Sequence, residues 1–254
     1  MKIKIWHSVL SPAYNANIHP NTLLKMNKWI ELNHDIEFDR TIFNDNDCID
    51  FLRVFDEKYG TNSMNFFILE PDGRFKSDLW RLCILYEYGG IYVDIDQEPL
   101  CQLKDYIDFN KIDFCGGLNI LDGNYFINGF LFSKNPKSPI IKLCLEEHLK
   151  RYELKHTVGI NGDMSAMHTM CKTIRSLLPD NHIPEGEVDI NGEYCLFLSE
   201  KPNPKLNLDF LYSYTFFHGD LEVMRSRYFP YYNDKHDSQN FIKFNKQETF
   251  NKKS

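Results

Sequence analysis

What the chain lacks narrows the field first. No stretch of its 254 residues approaches the roughly 18 uninterrupted apolar residues of a membrane-spanning helix. The opening Met1-Lys2-Ile3-Lys4-Ile5-Trp6-His7 also lacks the long apolar segment of a signal peptide. A cytoplasmic protein is expected, in the host cytoplasm if the source is viral, without a transmembrane segment and open to peripheral contact with a membrane. Positive charge is in deficit: 29 Lys and Arg stand against 36 Asp and Glu, a formal net charge of -7. Proteins that live on phosphate backbones need clustered, surplus Lys and Arg, so nucleic acid is not an expected partner. The seven cysteines (Cys48, Cys83, Cys101, Cys115, Cys144, Cys171, Cys195) include no Cys-x-x-Cys pair and are odd in number, which points to free, mostly buried thiols. The nine His fall singly, so the short-spaced ligand pairs of a structural zinc site are missing too. Internal repeats and low-complexity linkers are absent.

What is present suffices for a substantial core, with 43% hydrophobic and 15% aromatic residues. One domain over residues 1–232 is expected, followed by a polar tail at 233–254. Ile3 and Ile5 alternate as in a strand, Pro12 and Pro20 mark a loop, and a helix is expected over Asn21–Leu32. A strand over Ile36–Phe43 precedes a helix capped by Asp47 and ended at Gly60. From Phe75, the residues Leu79, Leu82, Cys83 and Tyr86 recur on one helical face that ends at Gly89-Gly90, where glycine tolerates the left-handed turn. The chain then switches to the β-prone Ile91-Tyr92-Val93. Further strands are expected near Asp113-Phe114-Cys115 and at 125–132, 194–198 and 210–216, with helices at 138–151 and 162–177. Alternating strands and helices indicate an α/β fold.

The chemistry concentrates around the glycine pair. Asp94 and Asp96 stand two apart at a strand's carboxyl end, where open α/β sheets place their ligand crevices. On an extended segment both carboxylates project to one side and can converge on a hard cation such as Mn²⁺ or Mg²⁺. Spacing alone is weak evidence, because Asp45-Asn46-Asp47 repeats it at a helix start where capping explains it. Upstream, Asp78 and Arg81 stand three apart, on a helical face distinct from the apolar one. They make either a surface ion pair or a pair that meets hydroxyls and phosphate oxygens of a ligand.

The runs Phe75-Lys76-Ser77-Asp78-Leu79-Trp80-Arg81 and Leu85-Tyr86-Glu87-Tyr88-Gly89-Gly90-Ile91-Tyr92-Val93-Asp94-Ile95-Asp96 resemble the signature of DXD sugar-transferases. That group includes yeast-type initiating mannosyltransferases, capsular-polysaccharide transferases and, more distantly, the large clostridial glucosylating toxins. Weaker similarity covers Lys4-Ile5-Trp6-His7 and Asn128-Gly129-Phe130. The resemblance implies a GT-A fold: one Rossmann-like nucleotide-sugar-binding domain with a mixed central sheet, a donor-binding half at about 1–115, and an acceptor-side half at about 116–232 with additional helices. It also implies a UDP-sugar or GDP-mannose-type donor, a Mn²⁺ or Mg²⁺ cofactor, and retention of anomeric configuration, in polysaccharide or glycan synthesis. By position, Asp78 and Arg81 would contact ribose, transferred sugar or diphosphate, and Tyr92 would lie near the nucleotide with Trp6 and His7. Asp94 would reach the sugar and touch the metal mainly through water, leaving Asp96 as direct ligand. His218, with Asp220 behind it, would complete the metal or diphosphate site, and Asn161 and Asp163 would line the acceptor side. An aromatic that relatives carry three residues after the first-strand His is here Leu10, so base stacking falls to another residue such as Trp6. The acceptor is open among glycan, lipid-linked and protein hydroxyls. Two other readings remain at this stage: an inactive sugar-nucleotide-binding module, and an Asp-x-Asp phosphohydrolase, which position 98, a Glu, disfavours.

Overall fold

The structure, a computed structural model, describes residues 2–10, 20–119, 125–158, 165–202 and 214–226. Strand β1 (Lys2–Ser8) runs parallel to β2 (Glu37–Phe43), and helix α1 (Pro20–Leu32) lies between them in sequence. Three helices follow, α2 (Asp45–Tyr59), α3 (Ser63–Leu69) and α4 (Gly73–Tyr88), before β3 (Gly90–Val93) joins the other side of β1, again parallel. After the two-residue β4 (Glu98–Pro99) come β5 (Phe114–Asn119), β6 (Tyr125–Ser133), α5 (Pro139–Val158), α6 (Ala166–Ser176), β7 (Gly186–Ile190), β8 (Glu193–Pro202), β9 (Tyr214–His218) and β10 (Leu221–Ser226). One mixed sheet has the order β2-β1-β3-β6-β5-β8-β9-β10-β4, with β7 paired to β8. Because β10 pairs with β4, the far end of the sheet is tied back to the chain just past Asp96.

Strand alternation divides the core into two layers. Trp6, Tyr92, Phe114, Phe126 and Phe197 pack with α2, α4, α5 and α6 on one face. Ile3, Ile5, Ile91, Val93, Leu196 and Leu198 pack on the other, with Trp29 of α1 and the segment around Leu103 and Tyr106. The expected α/β class, the helix stop at Gly89 and the free cysteines are all found; six of the seven thiols are buried.

Several expectations change in detail. The cap of α2 is Asn44, whose side chain accepts from the Asn46 and Asp47 N–H groups while Asp47 reaches back to the Asn44 N–H. Asp47 is thus the third helical residue of a capping box rather than the cap itself. Helix α3 and strands β4, β7 and β10 were not anticipated; each is seven residues or fewer. Helix α4 shows no wet face over its middle turns, because it sits between the sheet, α2, α5 and α6, and residues 77–85 are all buried. Asp78 and Arg81 are therefore 5% and 3% exposed, not surface groups. Leu79, Leu82, Ile84 and Leu85 are fully buried, each contributing about 1.5–3 kcal/mol.

Candidate active site

Helix α4 and strand β3 join through a turn that only glycine allows. Gly89 and Gly90 have φ of 62° and 93°, and a Cβ on Gly90 would lie 2.5 Å from the Lys4 carbonyl oxygen. The Gly89 carbonyl accepts the Trp6 indole N–H at 2.8 Å, fixing the turn to β1. The strand that follows is short, and its last residue hands over to a turn closed by the Gln97 N–H on the Asp94 carbonyl, 3.0 Å. Asp94 and Asp96 consequently sit on a turn and not on an extended segment, and the strand period does not by itself aim them to one side. Asp94 continues the face of Tyr92, toward α4.

That face holds a buried polar knot centred on Arg81. Its Nε donates to the Ser77 carbonyl at 3.2 Å, Nη1 to the Asn128 carbonyl, and Nη2 to the Ser77 hydroxyl at 2.9 Å. Nη2 also lies 3.1 Å from Asp78 Oδ1 and 3.3 Å from Asp94 Oδ1, and the guanidinium stacks 4.2 Å above the Tyr92 ring. Asp78 is saturated: Oδ1 accepts from Asn128 Nδ2 at 2.8 Å and Oδ2 from the Ala166 N–H at 2.8 Å, at the start of α6. Tyr92 donates to Asp94 Oδ1 at 2.6 Å, backed by the hydroxyls of Ser77 at 2.8 Å and Ser8 at 3.2 Å.

Electrostatics separates the members. Burial pushes the Asp78 carboxyl up to about 6 against the pull of Arg81, so desolvation outweighs the ion pair. Burial opposes the Arg81 charge as well, yet Asp94, Tyr92 and Asp78 together hold that guanidinium firmly protonated. The Tyr92 phenol is raised by burial, which Arg81 opposes, so it stays a donor to Asp94. Asp94, by contrast, keeps a 34% exposed side chain, and Asp96 is half-buried.

The remaining expected residues are distributed differently. His7 is fully buried; burial lowers its pKa to about 4, so the ring is neutral, with Nδ1–H on the Val93 carbonyl at 2.9 Å and Nε2 without a partner. It braces the end of β3. Trp6 packs against Phe43 and Tyr88 in the core, 6% exposed, which gives it a wall's position rather than that of an exposed stacking platform. His218 ends β9 and Asp220 is exposed in the following turn. Among the described residues no three His, Cys, Asp or Glu converge as metal ligands, so Asp94, Asp96 and His218 do not form a closed set. Asn161 and Asp163 lie outside the described residues. A cavity of about 520 Å³ opens between β2 and α2, lined by Thr41, Phe43, Phe51, Phe55 and Tyr88 among others, and no member of the polar knot lines it.

Sequence reasoning gave no role to Ser8, Ser77, Asn128, Gly129 or Gln97. Asn128-Gly129 was visible only as a weak similarity, yet it supplies an amide to Asp78, a carbonyl to Arg81, and a carbonyl that accepts the Asp94 N–H at 2.8 Å.

Residues 19–113 match the model of a family described as a glycosyltransferase sugar-binding region containing a DXD motif. No curated protein matches the sequence. Among solved structures the fold resembles PaToxG glycosyltransferase, at 16% identity over 69% of this chain and 71% of that one, TM-score 0.50. The catalytic domain of alpha-toxin from Clostridium novyi aligns at 10% identity over 62% and 59%, TM-score 0.43. Mouse xyloside xylosyltransferase 1 aligns at 10% over 73% and 86%, TM-score 0.42. Residues 19–113 are thus similar to the glycosyltransferase sugar-binding region containing a DXD motif, and the mixed α/β fold is of the GT-A type.

Proposed function

We propose that the protein is a metal-dependent glycosyltransferase that moves a sugar from a UDP-sugar or GDP-mannose-type donor to an acceptor hydroxyl, with retention, in glycan or polysaccharide synthesis. The observation that carries this reading is the division between carboxylates. Asp78 is buried and saturated, whereas Asp94 is fixed by Arg81 and Tyr92 at the carboxyl end of β3 with its second oxygen left for a ligand. The knot draws on both halves of the proposed single domain, since Asp78 is bonded to Asn128 and to Ala166.

The donor set fits a Mn²⁺ or Mg²⁺ ion of the kind held by one or two carboxylates plus phosphate oxygens and water, which needs no third protein ligand. Gly129 supports the fit: a Cβ there would press within 2.9 Å of Asp94 Oδ2, so its absence keeps that oxygen's place open. Asp96 would be the direct ligand, with Asp94 reaching it through water and binding a sugar hydroxyl. When bound, the ion neutralises charge on the departing diphosphate. The chain's own contribution is preorganisation: Arg81 and Tyr92 hold the Asp94 carboxylate in place, so little reorganisation is needed as the sugar becomes oxocarbenium-like. Incubation with Mn²⁺ and a panel of nucleotide sugars is expected to release nucleoside diphosphate slowly, and Asp96→Ala to abolish release with little loss of folding. Normal metal-dependent turnover in that variant refutes the assignment. Release of inorganic phosphate instead supports a phosphohydrolase. Anomeric NMR of the product tests retention.

A further inference from the structure

Helix α1 grips the segment that carries Asp96. Lys25, Lys28 and Trp29 fall at i, i+3 and i+4, one helical face. Lys25 Nζ donates to the Asp96 carbonyl at 3.2 Å, Trp29 Nε1 to the Gln97 carbonyl at 3.2 Å, and Lys28 Nζ to Glu98 Oε1 at 2.6 Å. Three consecutive residues are each held by one side chain of α1. Asn33 extends the grip, its Oδ1 taking the Leu103 N–H at 2.6 Å. Two of the three contacts have an ordinary explanation. Trp29 is a fully buried core residue stacked on Phe130, and the Lys28–Glu98 pair is partly solvated, worth little in stability.

Lys25 is different. It is 9% exposed, its Nζ donates to a neutral carbonyl, and the Asp96 and Glu98 carboxylates act on it through space. Burial depresses its pKa while those two carboxylates hold it up. An apolar side chain of the same length would fill the space without that desolvation cost, so a structural role does not account for the charge.

We propose that Lys25 is a positioning residue that sets a fixed positive charge beside the Asp96 carboxylate, so that a divalent cation binds weakly alone and strongly together with a nucleoside diphosphate. The inference rests on the glycosyltransferase reading and adds to it an order of assembly. The ammonium repels a bare cation that approaches Asp96, and it attracts the diphosphate that arrives with the cation. Each ligand then raises the affinity of the other, a coupling carried by one charge.

The test is Mn²⁺ binding to the full chain, read from the free-ion EPR signal, with and without UDP or GDP. In Lys25→Gln, which keeps a donor but loses the charge, Mn²⁺ alone is expected to bind about fivefold tighter and Mn²⁺ with diphosphate about tenfold weaker. Lys25→Met should show the same split, and Lys25→Arg should restore the wild-type pattern. A mere clamp would weaken both affinities together; that result, or no change in either, overturns the proposal. Wild-type protein that binds Mn²⁺ with neither UDP nor GDP overturns the glycosyltransferase reading, and the proposal with it.

Discussion

Gly129→Ala separates the site from the fold more cleanly than any carboxylate substitution. Gly129 lies in β6 beside the end of β3, and its carbonyl accepts the Asp94 N–H at 2.8 Å. A Cβ at that position would stand 2.9 Å from Asp94 Oδ2 and 2.8 Å from Gln97 Nε2. Non-bonded heavy atoms sit near 3.5 Å, so both groups must withdraw by roughly 0.5 Å. Each is the end of a side chain, and the backbone need not move. The expected cost in stability is below about 1 kcal/mol, the scale of substitutions that relax without a cavity or an orphaned charge. Catalysis is less tolerant. Asp94 is aimed by the Tyr92 hydroxyl at 2.6 Å and by Arg81 at 3.3 Å, and displacement by about half an ångström breaks that geometry. A misplacement of 1 Å can cost roughly a hundredfold in rate, so kcat/KM should fall about 10- to 100-fold. Diphosphate release with the best donor gives the rate, and circular dichroism gives the melting temperature. Full activity in Gly129→Ala refutes the role given to Asp94, and loss of folding refutes the claim that only side-chain ends are displaced.

Other perturbations test the buried knot. Arg81→Met leaves Asp78 and Asp94 without their shared cation and should destabilise the protein by about 3–5 kcal/mol in urea denaturation; Asp78→Asn in the same chain should recover part of it. A loss under about 1 kcal/mol would show that the knot is not held by charge. Tyr92→Phe removes the hydroxyl that donates to Asp94, with an expected cost of about 1–2 kcal/mol and a weaker response to Mn²⁺ with diphosphate. For acid stability, His7 and His148 are both fully buried, with pKa values lowered to about 4 and about 3 by burial. The unfolded chain takes up these protons near 6.5, so their stabilising contribution is complete above that pH and is lost as pH falls through the native values. Asp78, raised to about 6, acts in the opposite sense: its contribution favours the fold at low pH and fades as pH rises from about 3.8 to 6. Two histidines outweigh one carboxyl, so stability should drop between pH 7 and pH 5, by about 2 kcal/mol per histidine. His148→Gln should shrink that drop in parallel urea titrations.

The part of the site around β3 was legible because local rules governed it. A helix ending at paired glycines, a three-residue apolar strand and two acids after it fix the order of events in any α/β chain, and Gly89, Val93 and Asp94 stand where that order puts them. Periodicity misjudged α4, since it reports the most apolar stripe and not the number of layers packed around a helix. Asp78 and Arg81 read as wet because they are charged; they are buried because Asn128, Ala166 and Asp94, which are remote in sequence or on another element, satisfy them. Gln97 was silent, and Gly129 no more than a weak similarity, for the same reason. Their meaning is a distance across the sheet that no spacing encodes.

Arg81 is enclosed by partners within the protein itself. A guanidinium presents five N–H donors, and here Ser77, Asn128, Asp78 and Asp94 surround it at 3% exposure. Freed to meet a phosphate, it would leave the Asp78 carboxylate buried beside nothing but amides, a cost of several kcal/mol. It holds Asp94 in position from the α4 side. The charge proposed to meet a diphosphate alongside the bound ion lies on the other side of Asp94, where the turn at Asp96 meets α1 and Lys25 donates to the Asp96 carbonyl.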